Sequence, residues 1–141
     1  MKQKVMFFLL LMFIISYGFC DTEKKSIEKV VTEYQKSINT YDIKKLKSLF
    51  IEPDSYDVQI FVIYLEGLHE QGLNIKYTID VIELHVYDKI AEVRLKTVAK
   101  MLADDDSFDL MTLFGPSLVD SIMTLKKVNG FWKIVGEKII E

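Results

Sequence analysis

The chain has 141 residues, a length for one domain, with 50% hydrophobic residues and a formal net charge of −3. Its single arginine, Arg94, and its acidic balance argue against nucleic-acid binding, which needs a basic face. Its single cysteine, Cys20, excludes an internal disulfide, so stability must come from a buried core.

In chain order, Lys2 and Lys4 come first, and residues 5–19 form an apolar run. A run of about 15 residues is shorter than the roughly 20 that a membrane span needs. Polar residues 21–25 follow at once, so residues 1–20 read as a secretory signal peptide and residues 21–141 as the exported domain. An uncleaved N-terminal anchor is the rival reading. Removing residues 1–20, which hold two lysines and no acid, takes the net charge from −3 to −5. Cys20 ends the apolar run, where a bacterial lipoprotein would be cut and lipidated. The lipoprotein box wants a small residue before the cysteine and an aliphatic one three before it, but Phe19 and Tyr17 stand there. Ordinary cleavage fits as well, with Gly18 and Cys20 as the small residues before the scissile bond. Both readings place the domain in the periplasm or outside the cell, one of them with a lipid anchor on Cys20.

Residues 22–39 carry Ile27, Val30, Val31, Tyr34 and Ile38 on one stripe, which predicts a helix capped by Asp21 or Thr22. Glu23 then favours the positive end of its dipole. A short second helix follows with Ile43, Leu46, Leu49 and Phe50 on one side, stopped by Pro53. A third helix begins at Asp54 or Ser55 and stops at Gly72. Val58, Phe61, Val62, Leu65 and Leu68 form its core face, and Ile60, Ile63 and Tyr64 widen it. Such a helix is covered on more than one side or lines a cavity.

The apolar period then changes to two. Ile75, Tyr77, Ile79 and Val81 alternate, and the phase shifts to Ile82, Leu84 and Val86, which predicts a β-bulge at Val81 or Ile82. The next strand sets Ala91, Val93, Leu95, Thr97, Ala99 and Met101 on one face, and Glu92, Arg94, Lys96 and Lys100 on the other. Residues 102–116 read as a connection with a short helical turn. Two further strands cover residues 117–128 and 131–139. Asn129-Gly130 joins them, because both residues tolerate the positive φ of a type I′ turn. Helices followed by strands predict an α+β fold of three N-terminal helices packed on a curved four-stranded antiparallel sheet.

These elements carry a resemblance. The stretch SINTYDIKKLKSLFIEPD resembles the opening of NTF2-like, cone-shaped α+β domains, with Asp42, Leu46, Leu49, Phe50 and Asp54 at the matching positions. The ending LKKVNGFWKIV is similar to that family's last hairpin, through Leu125, Gly130, Trp132, Lys133 and Ile134. The resemblance covers about residues 26–139 and implies helices and sheet closing around a cone. Many members insert a hairpin between the second and third helices, which this chain lacks. In that respect it resembles the small exported bacterial lipoproteins described as NTF2-like, SnoaL-like or lumazine-binding-like, and the departure counts against a complete enzymatic pocket.

Enzymes of the resembling family place acids, tyrosines or histidines inside the cone, where burial brings a pKa toward neutrality. No such constellation is evident here, so no catalytic residue, metal ligand or cofactor is assigned. His69 suits the end of the third helix. Asp80 should face solvent, and two histidines without cysteines make a poor metal site. Asp104, Asp105 and Asp106 lack the glycine and later glutamate of a calcium loop. The ligand-pocket candidates are Tyr34, Tyr41, Phe61, Tyr64, Tyr77, His85 and Trp132, against plain core packing for the aromatics.

The leading expectation is an exported, non-catalytic domain of the cell envelope. It would bind a small apolar ligand in the cone or a protein partner at the sheet, as a monomer or as a homodimer through the sheet. The runner-up is an isomerase- or dehydratase-type enzyme that uses His85, Tyr77 or Tyr34 as acid or base. A toxin-immunity or structural envelope protein is the third class.

Overall fold

The apolar stripe of the first helix is buried as its spacing demands, with Ile27, Val31, Tyr34 and Ile38 all inside the core. In the computed structural model, which describes residues 2–103 and 117–140 and side chains from Asp21 on, this helix, α1, runs Lys2–Asn39. The backbone does not break at residue 22, so Asp21 and Thr22 do not cap it. Instead Asp21 pairs with Lys25 at 3.0 Å, and the Thr22 carbonyl accepts a hydrogen bond from Ser26 Oγ at 2.9 Å. The Cys20 side chain lies outside the described residues. Among the described residues no helix is long and apolar enough to cross a membrane.

Helix α2 (Ile43–Ser48) starts at Asp42, whose side chain accepts from the Lys45 amide at 3.0 Å. The reversal between α1 and α2 places Tyr41 at φ 53°. Helix α3 (Tyr56–Glu70) has Ser55 as N-cap and ends at Gly72, whose φ of 70° suits a residue without a side chain. Val58, Val62 and Leu65 are buried, whereas Tyr56, Ile60, Ile63 and Tyr64 are exposed. The wide apolar face of α3 is therefore covered on one side by this chain.

Strands β1 (Leu73–Tyr87), β2 (Ile90–Ala103), β3 (Ser117–Val128) and β4 (Phe131–Ile139) form an antiparallel meander in the order β1-β2-β3-β4. The fold is α+β, three helices on one four-stranded sheet. Strand β2 reaches Ala103, one residue beyond the start expected for the connection, and the rest of that connection, with Asp104, Asp105 and Asp106, lies outside the described residues. Ala91, Val93, Leu95 and Thr97 are buried under the helices, while Glu92, Arg94, Lys96 and Lys100 face out. At Asn129-Gly130 both φ values are positive, 51° and 82°, as the hairpin requires.

Two bulges set the phase of the inner face. One lies between Val81 and Glu83, where Ile82 is the extra residue and Leu84 and Val86 turn inward. The other lies on β4, where Thr124 pairs with Gly136 and Leu125 with Ile134, leaving Val135 as the extra residue. The second was not expected, and it decides what the site contains.

Both edges of the sheet are covered in part. Along β1, the Tyr77 amide donates to Asn39 Oδ1 at 2.6 Å and the Tyr77 carbonyl accepts from Asn39 Nδ2 at 2.8 Å. The Ile79 amide donates to Gln35 Oε1 at 2.7 Å. Residues four apart on a helix share a face, so Gln35 and Asn39 act together as a short mock strand. Along β4, the Ile134 amide donates to the Leu49 carbonyl at 2.8 Å, and the Ile51 amide donates to the Ile134 carbonyl at 2.9 Å.

Candidate functional site

Between α3, α1 and the end of the sheet where β1 begins lies a cavity of ≈ 630 Å³. Five aromatic rings line it: Tyr34 from α1, Phe50 after α2, Phe61 and Tyr64 from α3, and Tyr77 from β1. Ile75, Ala99, Met101, Val119 and Met123 supply the aliphatic wall. Tyr34 and Phe50 meet edge to face, with centroids 6.2 Å apart at 72°.

A carboxylate from β4, Glu137, joins this wall. Strict alternation from Trp132 and Ile134 would carry Gly136 and Lys138 inward. The extra residue at Val135 moves the phase by one, so Glu137 stands opposite Met123 on the inner face. Its Oε1 accepts from the buried Ser121 Oγ at 2.5 Å, and its Oε2 accepts from the Tyr34 phenol at 3.3 Å. Thr97, on β2, also belongs to the wall. Its hydroxyl is buried with no hydrogen-bond partner among the described residues.

Burial pushes the Tyr34 phenol well above its ordinary pKa, and the charge of Glu137 adds to that. The Tyr77 phenol is pushed up to about 12, again by burial first and by Glu137 second. Both therefore keep their protons at neutral pH and act there as hydrogen-bond donors.

Of the residues expected around a pocket, Tyr34, Phe61, Tyr64 and Tyr77 are brought together here. The other three stand elsewhere. Tyr41 sits in the α1–α2 reversal and stacks on His69, with centroids 4.0 Å apart at 16°. His85 is exposed on the outer face, because the Ile82 bulge sends Leu84 and Val86 inward, and it pairs with Glu83 at 2.8 Å. Trp132 is buried at the hairpin end of the sheet, where its indole Nε1 donates to Glu23 Oε2 at 2.6 Å and Lys127 pairs with Glu23 Oε1. It seals α1 against the sheet and is not a cavity wall. Glu23, expected to serve the helix dipole, is the acceptor of that buried cluster. Among the described residues no group of three or more His, Cys, Asp or Glu side chains is gathered to hold a metal.

The sequence contains a signal for Glu137. Two consecutive apolar residues break the alternation at Ile134-Val135, and a glycine follows, which marks a bulge as Val81-Ile82 does in β1. Reading it turns Glu137 inward.

Several solved structures share this fold. A candidate scytalone dehydratase from Novosphingobium aromaticivorans matches with a TM-score of 0.67 at 20% identity, over 84% of this chain and 83% of that one. An NTF2-like protein with a cystatin-like fold from the same organism matches with a TM-score of 0.67 at 11% identity, over 89% and 86% of the two chains. The chain has the NTF2-like fold. The NTF2-like domain also matches Bd1075 of Bdellovibrio bacteriovorus, with a TM-score of 0.65 at 12% identity, where it covers 84% of its own length and spans 40% of that larger chain. No protein-family model and no curated protein matches the sequence. At these identities the likeness is one of fold, and a fold by itself does not fix the chemistry of its site.

Proposed function

We propose that the protein binds a small, largely apolar molecule in its cone without transforming it. The observation that carries this reading is the cavity of ≈ 630 Å³, a volume suited to a small organic molecule, walled by aromatic and aliphatic side chains around a few convergent polar groups. The tyrosines support binding over proton transfer. An acid or base working near neutral pH needs a pKa near it, and burial moves Tyr34 and Tyr77 the other way.

The test uses a neutral, environment-sensitive naphthylamine dye and the variant Ala99→Phe, which fills the cavity from β2. Saturable dye binding to the unaltered protein, weakened about tenfold or more in a folded Ala99→Phe, is the expected result. Absence of binding, or equal binding to both proteins, counts against the reading.

A second reading, an isomerase- or dehydratase-type enzyme, is favoured by one contact, that of the Tyr34 phenol with Glu137 at 3.3 Å. In it Glu137 takes a proton from carbon while a phenol donates to the developing oxyanion. Exchange of deuterium into small apolar ketones, abolished by Glu137→Gln, would establish it.

Export belongs to the same proposal and is supported by the basic start, the apolar run over residues 5–19 and the polar residues after Cys20. Fractionation of cells should find the protein outside the cytoplasm. Labelling with a palmitate analogue, lost in Cys20→Ser, separates a lipid anchor from simple cleavage.

A further inference from the structure

The walls of the cavity also carry information on the charge of its occupant. Aromatic faces are the negative side of a quadrupole and attract cations. Here five rings surround one space, and the same space holds a carboxylate. Each oxygen of Glu137 takes one donor from the protein, Ser121 on Oε1 and Tyr34 on Oε2. A carboxylate offers about four acceptor sites, so about half remain for a ligand. Asp57 and Lys100 are the other charged residues at the wall; all three are exposed, and Glu137 is the one bonded to buried groups of the cavity, the Ser121 hydroxyl and the Tyr34 phenol. Lys100 occupies an outward position of β2 between Ala99 and Met101. With two carboxylates and one ammonium, the charge around the cavity is negative, and Glu137 brings it onto the face that carries the rings.

We propose that the occupant is an amine, protonated at neutral pH and joined to an apolar body. Its ammonium group donates to Glu137, its adjoining methylenes lie against the aromatic faces, and its apolar body fills the aliphatic end of the cavity. The charge of Glu137 already acts on the space between these groups, since it helps to hold both Tyr34 and Tyr77 protonated. A carboxylate ligand would meet Glu137 as a like charge, and an alcohol would make a hydrogen bond without the ion pair.

The proposal rests on the ligand-binding reading above, and the experiment separates the two. Displacement of the naphthylamine dye is measured near neutral pH with octylamine, octanol and octanoate, which share one chain and differ in the head. Octylammonium is expected to bind about tenfold or more tighter than octanol, with octanoate weakest. Glu137→Gln should bring octylammonium to within about threefold of octanol. The proposal is overturned if octanol or octanoate binds as tightly as octylammonium, or if a folded Glu137→Gln keeps the preference. The ranking on the unaltered chain decides it even if that variant fails to fold. Dye binding that octylamine cannot displace removes the amine and leaves the cavity reading standing. If neither the dye nor any chain binds, both readings fall.

Discussion

The indole Nε1 of Trp132 donates to Glu23 Oε2 at 2.6 Å, a buried bond that ties β4 to α1 across 109 residues of sequence. Lys127 completes the cluster on the other carboxylate oxygen and lies over the indole, 5.8 Å from the ring centroid. The hydrogen bond from Lys127 is the main cause that holds the Glu23 carboxyl below its ordinary value of 4.5; the Trp132 bond adds to it and burial opposes it.

Glu23 should therefore make the fold sensitive to acid. A carboxyl whose pKa is lowered on folding stabilises fully above its unfolded value, and the contribution is lost as pH falls through the folded one. Thermal melts of the unaltered protein should lose stability from about pH 4.5 downward, and Glu23→Gln should flatten that limb. At neutral pH Glu23→Ala should cost about 1–3 kcal/mol, because the buried indole N–H loses its acceptor.

The tyrosines predict the opposite limb. A phenol whose pKa is raised on folding stabilises fully below its unfolded value, near 10, and the contribution is lost as pH rises through the folded one. Ultraviolet titration should show Tyr34 and Tyr77 resisting ionisation above pH 10. Denaturation should show stability falling between about pH 10 and 12. Tyr34→Phe should keep the fold and reduce that alkaline loss.

Asn39→Ala should cost about 1–2 kcal/mol in urea denaturation, since it removes two hydrogen bonds to the Tyr77 backbone. Removing Gln35 as well bares the edge of β1. Sedimentation should then show concentration-dependent association, the usual fate of an uncovered edge strand. A double variant that stays monomeric would show that these amides do not guard the edge.

Thr97→Val should raise stability by about 1 kcal/mol, because it exchanges a buried hydroxyl without a partner for a methyl group of similar shape. A lower melting temperature would mean that the hydroxyl is satisfied within the native fold. Dye affinity, measured alongside, reports whether that wall of the cavity has kept its shape.

Much of this architecture is legible in the sequence because burial imposes a period. The stripe from Ile27 to Ile38, the alternation from Ala91 to Thr97 and the turn at Asn129-Gly130 each follow from local geometry, and each stands where its pattern puts it. The site is less legible. Tyr34, Phe61, Tyr64 and Tyr77 can be named as aromatics on the right elements, but the register that gathers them depends on pairings across the sheet. Glu137 is hidden because one extra residue at Val135 inverts the faces beyond it. Glu23 is hidden for a different reason: its position in α1 looks exposed until the hairpin carrying Lys127 and Trp132 is folded over it.

Helix α1 passes the Trp132 cluster at Glu23 and reaches the cavity at Tyr34. At about 1.5 Å per residue, these levels are roughly 16 Å apart along one rod. Residues 2–20 continue that rod beyond Glu23, away from the cavity. A tether carried there would leave from the hairpin end, with the cavity at the opposite pole. Were the domain held to a bilayer there, at Cys20 or by an uncleaved anchor, the cavity would face away from the lipid and open toward the surrounding fluid.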